Sequence, residues 1–237
     1  MIYASIPAAG KGTRLQPLAF SKELALIGEK TVIEYTLERL VLAGVTRIFI
    51  TINSDKLDIP RYLSDKTKYG QYISYIVKDS RSLPESIFAP SDFIKPDDYL
   101  VFGLPDTIWY PKDCYKRLVN NIKSNLTLGL FDSGSPEKFD SVVTNSRGQI
   151  KQIDVKIPNP KTRWTWGVGA INKSAIKFID SYLKKQDQAE PIFGVAANQY
   201  CQQKSCYAIK FPNSSYLDIG RKEDYQNATE FIKKYHE

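Results

Sequence analysis

An apolar run begins at the second residue, Ile2 to Pro7, and breaks at once into Ala8-Ala9-Gly10-Lys11-Gly12-Thr13-Arg14-Leu15. A buried strand feeding a glycine-bearing loop constrains the fold more than any other stretch, because open α/β sheets present backbone to ligands in this way. Glycine allows positive φ and close approach of the main chain, and successive loop N–H groups converge on anions. Lys11, Arg14 and Lys22 add positive charge at the same place, and a guanidinium can grip phosphate through two parallel hydrogen bonds. The loop reads as a polyphosphate site. No Gly-Lys-Ser/Thr closes it and the third glycine of the dinucleotide fingerprint is absent, so it is neither a Walker A loop nor that fingerprint.

The following segments alternate between two periods. Leu24 to Ile27 is a short apolar piece ending in a Gly28-Glu29-Lys30 turn, and from Thr31 the residues Ile33, Leu37, Leu40 and Val41 recur at helical spacing up to Gly44, a C-cap. Residues 47–53 (RIFITIN) read as a second buried strand, so strand, helix and strand form a βαβ unit with a parallel sheet. Strands are expected at 72–77, 99–102 and 126–131, a helix opening at 83–88 and another helix at 113–125. From Ser133 the texture changes. Residues 142–144 and 149–155 flank an Asn145-Ser146-Arg147-Gly148 turn and read as a hairpin. A strand at 166–172, helices at 173–185 and 192–203, a strand at 205–210, a strand end and turn at 216–220 and a closing helix at 222–235 follow.

The 237 residues suffice for a sizeable core, and the reading is one domain, 1–237, with a Rossmann-like half at 1–132 and an α+β half at 133–237. The fold class is α/β, a Rossmann-like mixed, mostly parallel sheet flanked by helices. A net charge of +7 raises nucleic acid as a partner, but the lysines are scattered without a basic block, which argues for a basic surface that attracts small phosphates. No apolar run approaches the roughly 20 residues of a membrane span, and Met1 leads into strand-like sequence without a basic leader, so no membrane partner and a cytoplasmic location are expected. Cys114, Cys201 and Cys206 show neither disulfide nor zinc spacing. His236, the single histidine, is penultimate and a poor catalytic candidate.

The whole N-terminal string resembles the signature of the nucleotide-sugar pyrophosphorylases, the nucleotidyltransferases related to glucose-1-phosphate thymidylyltransferase. There a first strand runs into Gly-x-Gly-Thr-Arg-Leu, followed by a proline and a lysine; here those positions are Gly10, Gly12, Thr13, Arg14, Leu15, Pro17 and Lys22. The resemblance implies nucleotide binding by Ala8, Ala9, Gly10, Lys11, Gly12, Thr13, Arg14 and Ser82, with Arg14 and Lys22 catalytic. It also implies that the carboxylates of Asp106, in a strand-terminal Gly-x-x-Asp, and Asp218, in Asp-x-Gly, hold a Mg²⁺ ion. Read alone, an Asp at a strand end is most often a turn former or cap; the resemblance raises both. The implied reaction is attack of an acceptor phosphate oxygen on the α-phosphorus of a nucleoside triphosphate, with pyrophosphate leaving. Arg14 would hold the β- and γ-phosphates and Lys22 bridge the reacting groups, without a general base.

On the acceptor side the resemblance implies Ser141, Lys156 and Gly167, but the match is poorer. Val155-Lys156-Ile157 stands for the usual Glu-Lys-Pro and Phe139-Asp140-Ser141-Val142-Val143 for Tyr-Gly-Val-Val, so the lysine for the sugar phosphate is kept and the glutamate for sugar hydroxyls is not. Transfer from dTTP or UTP to a sugar 1-phosphate is the favoured expectation. A cytidylyltransferase for another small phosphate or phosphonate and a non-catalytic nucleotide-binding relative remain open beside it. The chain ends soon after Asp218 with no hexapeptide-repeat extension, which favours a monomer or small homo-oligomer.

Overall fold

The computed structural model describes residues 1–10, 20–186, 192–220 and 224–235. β1 (Ile2–Pro7) is followed by a short 3-10 turn (Lys22–Leu24), a small hairpin of β2 (Leu26–Ile27) and β3 (Lys30–Thr31), then α1 (Val32–Leu42) and β4 (Ile48–Ile52). Next come α2 (Asp58–Lys66), β5 (Ile73–Val77), α3 (Leu83–Phe88), β6 (Tyr99–Gly103), β7 (Thr107–Tyr110) and α4 (Cys114–Val119). The second half carries β8 (Leu126–Asp132), β9 (Asp140–Thr144), β10 (Ile150–Val155), β11 (Trp164–Asn172), α5 (Lys173–Lys185), α6 (Phe193–Gln203), β12 (Tyr207–Lys210), β13 (Ser215–Asp218) and α7 (Asp224–Tyr235).

The central sheet runs β12-β8-β11-β6-β1-β4-β5, and β11 alone runs against its neighbours along that line. This is the mostly parallel, helix-flanked sheet expected. β11 is longer than β6, which pairs only its Val168–Asn172 portion. Its overhanging start is taken up by β9, with Thr165 opposite Ser141, and β10 extends β9 outward. The antiparallel hairpin is thus added where β6 ends.

Helices cover both faces, which is why the strands read as unbroken apolar runs. On one face α3, α5 and α6 pack Ile87, Phe88, Ile176, Ile179, Phe193 and Ala197 against Leu100, Phe102, Leu128 and Trp166. On the other α1, α2 and α4 pack Ile33, Leu37, Leu40, Ile59, Leu63 and Tyr115 against Ile6, Ile50, Val101 and Val168. α1 starts where its sequence does: Glu34 accepts hydrogen bonds from the Thr31 backbone N–H and hydroxyl at 2.9 and 2.8 Å, a capping arrangement. A third cluster joins α7 (Ala228, Phe231, Ile232) to Ile108 of β7 and to Ile219, which follows β13. α7 therefore holds the two-stranded β7–β13 sheet in place. No helix among the described residues is long and apolar enough to cross a membrane.

Three local expectations change. The helix expected at 113–125 stops at Val119, because Asn121 and Ser124 spend their side chains on the Arg117 and Leu126 carbonyls at 2.9 and 2.6 Å. α2 was not expected, although Ile59 and Leu63 bury one face of it. β7 was not expected either, since residues 107–110 were left unassigned, and it exists because β13 pairs with it across a long sequence separation.

Gly103 closes β6 with no space beside it: a methyl group there would collide with the hydroxyl of the buried Tyr115. Gly103→Ala should destabilise the protein by about 1–3 kcal/mol, the usual range for overpacking a filled site. Adding Tyr115→Phe should recover part of the loss, which urea denaturation of the single and double variants would measure; equal midpoints would rule out that collision as the cause.

Candidate active site

The glycine loop leaves the carboxyl end of β1 under control of β4. Ala8 N–H donates to the Thr51 carbonyl at 2.8 Å, and the Asn53 amide donates to the Ala9 carbonyl at 2.9 Å. Among the described residues nothing stands within 4 Å of where a Gly10 side chain would be. Lys11, Gly12, Thr13 and Arg14 lie outside the described residues. Ser82 begins α3 and its hydroxyl accepts from the Glu85 N–H at 3.4 Å, so its position is set by helix capping. The helix is tied to the sheet by the Ser5 and Thr51 hydroxyls, which donate to the Ile87 and Ser86 carbonyls at 2.8 and 2.9 Å.

Asp106 and Asp218, 112 positions apart in the sequence, come together through the small sheet. Asp218 pairs with Thr107, and the Ile219 N–H donates to the Asp106 carbonyl at 2.9 Å. Lys22 meets them. Its ammonium lies 2.5 Å from Asp106 Oδ2, with both side chains largely shielded from solvent. Burial pulls the lysine down, but the attraction of Asp106, a hydrogen bond to it, and the charges of Glu23 and Asp218 leave it above its ordinary 10.5. A cation whose folded pKa is raised contributes its stability throughout the neutral range and loses it only as pH climbs past that raised value. Asp106, which already holds a cation, and Asp218 beside it suit Mg²⁺, which takes one or two carboxylates and completes its shell with phosphate oxygens and water. Among the described residues no cluster of three or more Asp, Glu, His or Cys side chains is placed to do more.

Both neighbours of Lys22 are pinned by the start of α2. The Ser21 N–H and hydroxyl donate to the two Asp58 oxygens at 2.6 and 2.7 Å. Glu23, 1% exposed, accepts from the Lys56 ammonium at 2.7 and 2.9 Å. Ser21, Glu23, Lys56 and Asp58 carry no signature in the sequence that marks them as functional. The available signal was the pair Ile59 and Leu63, which would have placed a helix start beside Asp58.

The acceptor candidates form a second patch around the overhang of β11. Ser141 stands opposite Thr165, and both hydroxyls are buried without a hydrogen-bond partner among the described residues. Lys156 is exposed with a left-handed backbone, φ 48°, and its N–H donates to the Phe139 carbonyl at 3.3 Å. A non-glycine residue held at positive φ is uncommon and clusters at ligand sites. At Gly167 a side chain would collide with the Tyr216 ring, so this glycine is required by packing and has only its backbone to offer a ligand. Tyr216 went unrecognised in the sequence, yet it joins the two patches. Its ring packs against Phe139 at 5.7 Å and Phe131 at 5.1 Å, and its strand ends at Asp218.

The profile of the nucleotidyl transferase family matches residues 4–235. A curated glucose-1-phosphate thymidylyltransferase of Neisseria meningitidis is 29% identical over 96% of this chain and 81% of its own length. One of Streptomyces antibioticus is 30% identical over 67% of this chain and 46% of its own length. Among solved structures, one assigned to a glucose-1-phosphate thymidylyltransferase from Bacillus anthracis, bound to sucrose, superposes with a TM-score of 0.86 at 20% identity, covering 100% of this chain and 97% of that chain. A UDP-glucose pyrophosphorylase bound to UDP-glucose gives 0.80 at 19% identity, covering 99% of each. At those identities the structural likeness carries the fold.

Proposed function

This chain belongs to the nucleotidyl transferase family, and we propose that it transfers the nucleotidyl group of dTTP or UTP to a sugar 1-phosphate, releasing pyrophosphate and a nucleoside-diphosphate sugar. The observation that carries this reading is Lys22 held against Asp106, with Asp218 beside it, at the carboxyl ends of the parallel strands. Ligands of open α/β sheets bind there.

The reaction is an in-line displacement. An acceptor phosphate oxygen forms a bond to the α-phosphorus as the bond to the bridging oxygen breaks, and pyrophosphate departs with the electron pair. The acceptor phosphate is already ionised at neutral pH, so no base is needed, and the protein's work is alignment and charge neutralisation. Lys22 sits where it can exchange Asp106 for phosphate oxygens, and Lys156 projects into solvent where it can meet the acceptor phosphate. Arg14 is assigned to the β- and γ-phosphates by its place in the loop motif. Mg²⁺ held by Asp106 and Asp218 would supply further positive charge at the α-phosphate.

Pyrophosphate release measured over a matrix of triphosphates and phosphorylated acceptors tests the reading. A sugar 1-phosphate with dTTP or UTP should give kcat/KM of about 10⁴ M⁻¹s⁻¹ or above, ordinary for an enzyme on its own substrate. Turnover confined to CTP and a non-sugar phosphate would replace it. Lys156→Ala should raise the acceptor KM at least about tenfold, the scale of one lost charge-assisted hydrogen bond, with triphosphate KM unchanged. Chelation should abolish turnover and added Mg²⁺ restore it.

A further inference from the structure

The first turn of α7 is tied to the strand end that carries Asp218. The Gly220 N–H, two residues past that carboxylate, donates to Asp224 Oδ2 at 3.1 Å, and Tyr225 follows directly on this fixed point. Its ring is half-buried against the cluster that holds Ala25 and Ile219. Ala25 closes the turn that presents Lys22, its N–H donating to the Lys22 carbonyl at 3.1 Å. Tyr225 is thus packed with both the turn of Lys22 and the strand end of Asp218.

The Tyr225 hydroxyl is buried and has no hydrogen-bond partner among the described residues. Packing does not account for it. Phenylalanine fills the same cluster at Phe231 without shutting away an unpaired polar atom, which is unfavourable in a protein interior. The charges that act on this phenol are, strongest first, Lys22, Asp106, Glu23 and Asp224. The hydroxyl therefore lies within electrostatic reach of the Lys22–Asp106 pair but is bonded to neither partner while the two hold each other. Nucleotidyl transfer requires that pair to open, because Lys22 meets phosphate oxygens by leaving Asp106. Two largely shielded charges separate at a cost unless each finds a new partner.

We propose that Tyr225 is a positioning residue for nucleotidyl transfer: when the triphosphate draws the Lys22 ammonium off Asp106, the Tyr225 hydroxyl enters between them, its oxygen accepting from Lys22 and its O–H donating to Asp106. This rests on the nucleotidyl-transfer reading above and adds to it a residue that acts through Lys22. A neutral hydroxyl holds the ammonium without cancelling its charge, so the positive charge is turned to the phosphates. No proton changes hands, and the ligand need not reach the buried hydroxyl, whose partners are protein side chains.

The test uses the full chain with the better of dTTP and UTP and its sugar 1-phosphate. Tyr225→Phe keeps the ring and removes the hydroxyl. Its kcat should fall at least about tenfold, the scale of a hydrogen bond to a charged group, with the KM values for triphosphate and acceptor little changed. Its melting temperature should stay level or rise, because an unpaired buried polar atom has gone. A double-mutant cycle with Lys22→Ala, followed by single-turnover transfer from radiolabelled triphosphate, supplies the readout that a purely structural role would not move: once Lys22 is absent, Tyr225→Phe should slow transfer no further. Unaltered kcat in Tyr225→Phe, or an equal loss of rate with and without Lys22, would overturn the proposal and leave nucleotidyl transfer standing. So would a lowered melting temperature with both KM values raised. If the unmodified protein transfers a nucleotidyl group to no sugar 1-phosphate, the functional reading fails and this proposal falls with it.

Discussion

Asp106→Ala and Asp218→Ala should each lower kcat by about 10²–10³-fold or more, the scale seen when one preorganised charged or polar group is removed from a transition state. In Asp106→Ala two losses coincide. A prospective metal ligand goes, and Lys22 loses the partner that holds its ammonium at 2.5 Å, leaving burial, which disfavours its charge, less opposed. Asp218 acts on Lys22 from further away, so Asp218→Ala isolates the carboxylate's own role more cleanly. Neither change should unfold the protein. Asp106 lies in a turn, and the end of β13 is anchored by Ile219 and α7 through a separate apolar cluster. Pyrophosphate release at saturating Mg²⁺ and thermal melting should therefore part company: activity nearly lost, melting little changed. Unchanged Mg²⁺-dependent turnover in either variant would remove that carboxylate from the reaction.

What the sequence revealed and what it hid divide along contact range. The apolar run of β1, the helical spacing in α1 and the strand at β4 are local patterns, and each forms where its own residues dictate. Asp106 and Asp218 were legible only through their motifs, since nothing local brings positions 112 apart together. The β7–β13 pairing does so, and β7 was a strand left unassigned in the sequence. Tyr216 was seen only as part of a strand end; its place between the carboxylates and the acceptor patch depends on ring contacts with Phe131 and Phe139, made across folded elements. The same holds for Gly167, whose reason for being glycine is a ring arriving from β13. Asp140 was noted only as part of the stretch that stands for Tyr-Gly-Val-Val, and its half-satisfied carboxylate is visible once Trp166 and α6 are in place.

Lys56→Met should be the most destabilising single change near the site, because it strands the Glu23 carboxylate at 1% exposure without its cation. Breaking a buried pair from one side costs roughly 3–5 kcal/mol. Burial already holds Glu23 above its ordinary pKa despite the attraction of Lys56, so the pair is poor value as a source of stability. Replacing both partners, Glu23→Gln with Lys56→Met, should accordingly recover most of the loss. Activity should not follow. Glu23 is bonded directly to Lys22 in the chain and sits inside the turn that presents its ammonium to Asp106; an uncharged pair packs there without fixing the turn as tightly. A lysine that must align two phosphates loses rate from small displacements, by up to about 10²-fold for a shift on the order of 1 Å. The double variant should melt close to the unmodified protein while its kcat stays down at least tenfold, with the KM values for triphosphate and acceptor little changed. Denaturation midpoints measured beside steady-state kinetics separate the cases: if stability and kcat return together, the ion pair serves folding alone, and Lys22 is positioned by the Ser21–Asp58 hydrogen bonds without it.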